Sequence, residues 1–146
     1  TTAHGGSITG LYTVLVEGDD LNDPVADTVR AILDGHVVLS RELASAGHFP
    51  AIDVLASVSR LAGELLTPDE TRAATELRGH LATWRDARDL VAIGAYARGS
   101  DRAVDQALDL LPGITAFLRQ GRDERSDRAE SARRLAAIVA NAEGVR

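Results

Sequence analysis

A chain of 146 residues with 45% hydrophobic and 26% charged residues has the composition of one folded domain, or of a small core with an appended subdomain, rather than of a disordered polymer. No apolar run approaches the roughly 18 residues of a membrane span, and with no cysteine there are neither disulfides nor thiolate metal sites. The net charge of −6 argues against nucleic acid as a partner, and all 16 basic residues are arginine, so no phosphate-loop lysine or catalytic amine can come from this chain.

The start, Thr1 to Gly6, has neither the basic patch nor the apolar stretch of a secretion signal, which makes the cytoplasm the expected compartment. Residues 7–16 are β-branched and apolar almost throughout, which predicts a buried strand of a parallel sheet. An acidic turn follows at Glu17 to Asp20, after which Asp23 and Pro24 predict a capped helix running to about Leu33. Val37 to Leu39 read as a second short strand. Ser40 is placed to cap a helical turn over residues 41–46, and Gly47-His48-Phe49-Pro50 breaks the pattern before an apolar stretch from Ala51 to Val58.

From Thr67 onwards the pattern is helical. Thr67-Pro68-Asp69-Glu70 combines a capping box with a proline at the first helical position. Leu77, Leu81, Trp84 and Val91 then form one apolar stripe on a helix predicted to end near Gly94. Ser100-Asp101 starts another helix with Val104, Leu108 and Leu111 inward, predicted to be interrupted at Pro112-Gly113. A last helix after Ser126 carries Leu135, Ile138 and Val139 and stops before Gly144. These elements divide the chain near residue 66, with an α/β part over 1–66 and an all-α part over 67–146. Two strands are too few for a self-sufficient doubly wound sheet, so the α/β part reads as the end of a larger one.

Most candidate chemistry dissolves on inspection. Gly5 and Gly10 have the glycine spacing of a phosphate loop, but Leu11 and Tyr12 follow where that loop needs Lys and Ser or Thr. The histidines at 4, 36, 48 and 80 lack paired ligand spacing, so no metal site is expected. Ser57 and Ser59 have no neighbouring histidine and no nucleophile elbow. Asp19, Asp20 and Asp23 lack the regular spacing and closing glutamate of a calcium loop.

Two residues stand out. Phe49, one of two phenylalanines, lies in a loop, where it either fills a core gap or stacks on a planar ligand. Arg60 closes the apolar run Val54 to Val58, and an arginine at the end of a buried segment calls for an anionic partner.

Taken together, Gly6-Ser7-Ile8-Thr9, the stretch Glu17 to Pro24, Ile32 to Arg41, Gly47-His48-Phe49-Pro50-Ala51-Ile52-Asp53, Ser57-Val58-Ser59-Arg60 and Gly94 to Asp101 resemble the export ATPases of flagella and type III secretion systems. Those are relatives of the α and β subunits of rotary ATP synthase. The resemblance implies an α/β end of a RecA-like nucleotide-binding core followed by a helical C-terminal domain. It also implies that the family's phosphate loop, catalytic glutamate and Walker B aspartate lie upstream of the segment matching Thr1, so that this chain by itself is expected to be inactive and to bind no nucleotide tightly.

In an intact parent the substrate would be ATP with magnesium. By the same resemblance Phe49 packs on the adenine, and Arg60 is an arginine finger reaching the γ-phosphate bound by a neighbouring subunit of a homohexamer. The turn carrying Asp19, Asp20 and Asp23 and the segment carrying Tyr96, Arg98 and Arg102 would touch a coiled-coil central stalk, beside an export apparatus at the membrane. The mixture of arginines and acids between Gly94 and Asp105 departs from the acidic tip of ATP synthase and favours the export branch. The alternatives are a free-standing helical module that binds a coiled-coil stalk or regulator, and a piece of an ATP synthase-type subunit.

Overall fold

A computed structural model describes residues 5–16 and 23–143, with side chains through residue 140. The chain divides between Leu33 and Asp34 into two compact units. The first contains helix α1 (Pro24–Ile32). Its N-terminus is closed by Asp23, whose carboxylate accepts the backbone N–H groups of Val25 at 2.9 Å and Ala26 at 3.1 Å.

Residues 5–16 form neither helix nor strand. Ile8, Leu11 and Leu15 are 87%, 94% and 92% exposed, so the buried strand predicted over 7–16 is not formed. β-Branched composition favours a pleated, half-buried surface but cannot create one. A strand requires a neighbour for its ladder, and among the described residues the sheet contains only the two strands of the second unit.

Those strands are β1 (Gly35–Leu39) and β2 (Ile52–Ser59), joined through the short helix α2 (Arg41–Ser45). Ser40 caps α2 by accepting the Leu43 N–H at 3.2 Å. The pair is antiparallel rather than parallel. A five-residue helix is too short for the crossover that parallel neighbours need, and it returns the chain alongside itself in the reverse direction. The register runs Gly35 to Ser59 and His36 to Val58, then resumes at Val38 to Asp53 and Leu39 to Ile52. Residues 54–57 of β2 therefore face Val37 alone, in a wide bulge.

Helix α3 (Ala62–Leu65) turns the chain into α4 (Pro68–Ala92), α5 (Arg102–Leu118) and α6 (Arg128–Glu143), which pack on one another. The capping box at α4 forms as predicted: the Glu70 N–H donates to the Thr67 hydroxyl at 3.2 Å, and the Thr67 N–H donates to the Glu70 carboxylate at 2.7 Å. Ala73, Leu77, Ala87, Ala107, Ile114 and Val139 form the buried core. Leu77 is the fully buried member of the predicted stripe, while Leu81, Trp84 and Val91 are half-buried.

Pro112 does not interrupt α5, which continues to Leu118. The proline is exposed, so its ring faces solvent, and the lost backbone bond is offset by the burial of Ala107 and Ile114 on either side of it. A strand pair followed by helices agrees with the expected α/β part and all-α part. Among the described residues no helix is long and apolar enough to cross a membrane.

Candidate functional site

Phe49 lies in the loop between α2 and β2, and the main chain around it is pinned on both sides. Gln120 donates its backbone N–H to the Phe49 carbonyl at 2.9 Å, and Arg119 donates to the Gly47 carbonyl at 3.3 Å. His48 donates its N–H to the Leu43 carbonyl at 2.9 Å, a turn that needs the positive φ of 68° at Gly47, which glycine alone adopts readily. The ring itself is 57% exposed, so Phe49 does not fill a core gap. With Pro50 it forms one wall of an open groove of 820 Å³, whose other wall is the segment after α5: Arg119, Gln120, Arg122 and Glu124. An apolar aromatic plane is thus presented beside two guanidinium-bearing side chains and an amide.

Arg60 follows the last residue of β2. Its backbone N–H donates to the Asp34 carbonyl at 2.8 Å, which fixes where the main chain leaves the strand. The close approach there requires glycine in the partner strand: a Cβ on Gly35 would come within 2.6 Å of the Val58 carbonyl oxygen. Val58, Ser59 and Arg60 are exposed. The expectation that Arg60 ends a buried segment is therefore corrected, and no desolvation penalty demands an anion for it. The reason is the sheet: among the described residues it has only two strands, and Val58 and Ser59 at this end of β2 are exposed.

The bulge that precedes Arg60 is built from polar contacts. The Asp53 carboxylate accepts the N–H groups of Leu55 at 2.9 Å and Ala56 at 3.0 Å. Ser57 donates its hydroxyl to the Asp53 carbonyl at 2.6 Å and accepts the Val38 N–H at 3.0 Å. His36 donates Nε2–H to the Ala56 carbonyl at 3.2 Å. None of these contacts has a periodicity that a sequence could display. Nor did sequence reasoning find Arg119, Gln120 and Arg122. The only signal for them is a polar, glycine-containing break between two helices.

Tyr96 and Arg98 lie in the link between α4 and α5, and Arg102 is the first residue of α5. The Tyr96 hydroxyl lies 2.9 Å from both the Asp101 carbonyl and the Asp105 carboxylate, and burial together with the Asp105 bond raises its pKa. Arg98 pairs with Asp109, and that hydrogen bond raises the guanidinium pKa further. Asp105 also accepts the Gly99 N–H at 2.8 Å, and Asp101 caps α5 through Ala103 at 2.8 Å. The link is therefore tied down by its own acids, with Arg102 left exposed at the helix start. Asp23 spends its carboxylate on the cap of α1. Asp19 and Asp20 lie outside the described residues. Among the described residues no three His, Asp or Glu side chains are grouped to hold a metal ion.

Comparison with known proteins gives two family matches in tandem. Residues 1–59 match the ATP synthase alpha/beta family, nucleotide-binding domain, and residues 66–137 match the T3SS EscN ATPase C-terminal domain. The chain is 49% identical over 138 residues to the flagellum-specific ATP synthase of Bacillus subtilis, covering 94% of this chain and 32% of that protein. It is 53% identical over 119 residues to the SPI-2 type 3 secretion system ATPase of Salmonella typhimurium, covering 82% of this chain and 28% of the relative. The assembled ATPase EscN of the enteropathogenic E. coli type III secretion system superposes with a TM-score of 0.87 at 42% identity, over 92% of this chain and 32% of that one. EscN in complex with its central stalk EscO superposes with a TM-score of 0.75 at 39% identity, over 80% of this chain and 29% of that one. The chain thus spans about a third of the length of the curated relatives it matches.

Proposed function

Because the chain belongs to the flagellar and type III secretion ATPases, relatives of the ATP synthase α/β subunits, we propose that it is a segment of an ATPase that drives protein export. In this reading residues 1–66 close the nucleotide-binding core and residues 67–146 form its helical partner. The observation that carries the reading is Phe49: an aromatic ring 57% exposed, on a loop whose backbone is fixed, facing Arg119 and Arg122 across an open groove. Such a plane is suited to stack on a base, and the guanidinium groups opposite suit the polar edge of the base or its ribose. A module without ATPase relatives does not account for the identity over both parts.

ATP with magnesium enters as the substrate of the whole protein, and this chain's residues act on it from two ends of one strand. Phe49, before β2, holds the base. Arg60, after β2, presents a planar, permanently charged fork where γ-phosphate charge develops, on the neighbouring subunit of a ring of identical copies. The chain by itself hydrolyses no ATP, since it has no lysine to hold the phosphates.

Replacing Phe49 by alanine in the full-length protein weakens ATP affinity about five- to a hundred-fold, the worth of one stacked base. Equilibrium binding of ATP and GTP checks this, with a similar loss expected for both purines; an unchanged dissociation constant in a folded variant ends the base-stacking role. The link carrying Tyr96, Arg98 and Arg102 is assigned to contact with a central stalk, supported by the EscN–EscO complex among the similar structures. Charge reversal at Arg102 should reduce stalk-stimulated turnover while sparing basal ATP binding, and retention of full stimulation removes that assignment.

A further inference from the structure

Arg78 lies on α4, but its guanidinium serves the bulge of β2. Nη1 donates to the Val54 carbonyl at 2.6 Å and makes a longer contact of 3.4 Å with the Ser57 carbonyl, while Nη2 donates to the Leu55 carbonyl at 3.3 Å. The wide bulge removes these carbonyls from the ladder with β1, so each requires another donor. One guanidinium, with its donors in a rigid fork, reaches all three. Lysine, with one flexible ammonium, cannot reproduce that geometry.

The remaining bulge contacts, from Asp53, Ser57 and His36, are internal to the strand pair. Arg78 differs in joining the bulge to a helix. The last of its three carbonyls belongs to Ser57, three residues before Arg60, and the Arg60 backbone is held in turn by Asp34. The far end of the same helix leads into the link that carries Tyr96 and Arg98.

We infer that Arg78 is a positioning residue for Arg60, setting the exit of β2 from α4 so that the helical part determines where the Arg60 guanidinium stands. The inference rests on the proposed role of Arg60 as a finger. Because Arg78 binds main-chain oxygens, its effect follows the backbone and does not depend on which side chains occupy the bulge.

The test uses the full-length ATPase and four variants: Arg78→Gln, Arg78→Lys, Arg60→Ala and the double variant Arg78→Gln/Arg60→Ala. A displaced catalytic group of this kind costs about 10- to 100-fold in kcat, so Arg78→Gln should lose that much at saturating ATP with the ATP dissociation constant nearly unchanged. Arg78→Lys should fall between it and the wild type. On the Arg60→Ala background the Arg78→Gln change should add almost nothing, because both act through one group. Amide exchange over residues 53–60 should be faster in Arg78→Gln, a readout independent of turnover. Multiplicative losses in the double variant, unchanged kcat in Arg78→Gln, or unchanged exchange over 53–60 overturns the positioning role and leaves the finger intact. Near-normal turnover in Arg60→Ala alone overturns the finger, and the positioning role with it.

Discussion

The strand pair and the helical part of the second unit are held together by different forces. In α4, α5 and α6 six of the described residues are buried, every one of them apolar, and Ile114 is the largest of those that are fully enclosed. In β1 and β2 no residue is buried, and the irregular register is maintained by hydrogen bonds from Asp53, Ser57, His36 and Arg78 to main-chain groups. An apolar core tolerates small shifts and stabilises broadly. A set of directional bonds specifies position at the cost of being easily broken. The two residues assigned to ATP lie at the ends of β2, where position matters more than bulk stability.

The sharpest way to separate the two regions is Arg60→Ala in the full-length protein. An arginine finger contributes roughly 10³- to 10⁵-fold to turnover, so kcat at saturating ATP should fall by that order while thermal stability barely changes. Ile114→Ala does the reverse. Truncating a fully buried isoleucine removes about 2–5 kcal/mol of stability, measurable as a lower denaturant midpoint. If Ile114→Ala proved neutral, the helical core would not be the stabilising region.

Asp53→Ala probes the directional bonds. Leaving two N–H groups of the bulge without their acceptor costs about 1–3 kcal/mol. Asp53→Asn, which keeps an oxygen in place, should cost less, and equal losses in both would show that the charge rather than the acceptor matters.

The smallest effect concerns the start of α4. The Thr67 N–H, followed by the Thr67 hydroxyl and the Arg128 charge, holds the Glu70 carboxyl below its ordinary value of 4.5. A lowered carboxyl pKa stabilises the folded chain fully above that value, and the contribution disappears as pH falls through the folded pKa. The stability difference between wild type and Glu70→Gln should therefore narrow on acidification below 4.5 and stay flat towards neutrality. A difference that grows on acidification contradicts the cap geometry.

What could be read without the structure was local. Asp23-Pro24, Ser40 and Thr67-Pro68-Asp69-Glu70 each announce a helix start, because a cap is made by residues within one turn of one another. The helix from Pro68 was legible from the spacing of Leu77, Leu81, Trp84 and Val91, since one face of a helix recurs at a fixed period. Phe49 and Arg60 could be singled out as residue types in unusual places, and the family resemblance supplied the roles proposed for them.

Tertiary structure decided what depends on distant partners. Residues 7–16 have the composition of a strand yet form none, because a ladder needs a neighbour that composition cannot provide. Pro112 stays within α5 because packing on both sides of it outweighs one lost backbone bond. The antiparallel register, the bulge, the groove formed where Gln120 meets Phe49, and the reach of Arg78 to β2 join residues from 13 positions apart, at Leu39 and Ile52, to 72, at Gly47 and Arg119. Propensity and periodicity act over a few residues, whereas the placing of a functional side chain is settled by bonds that close such long loops.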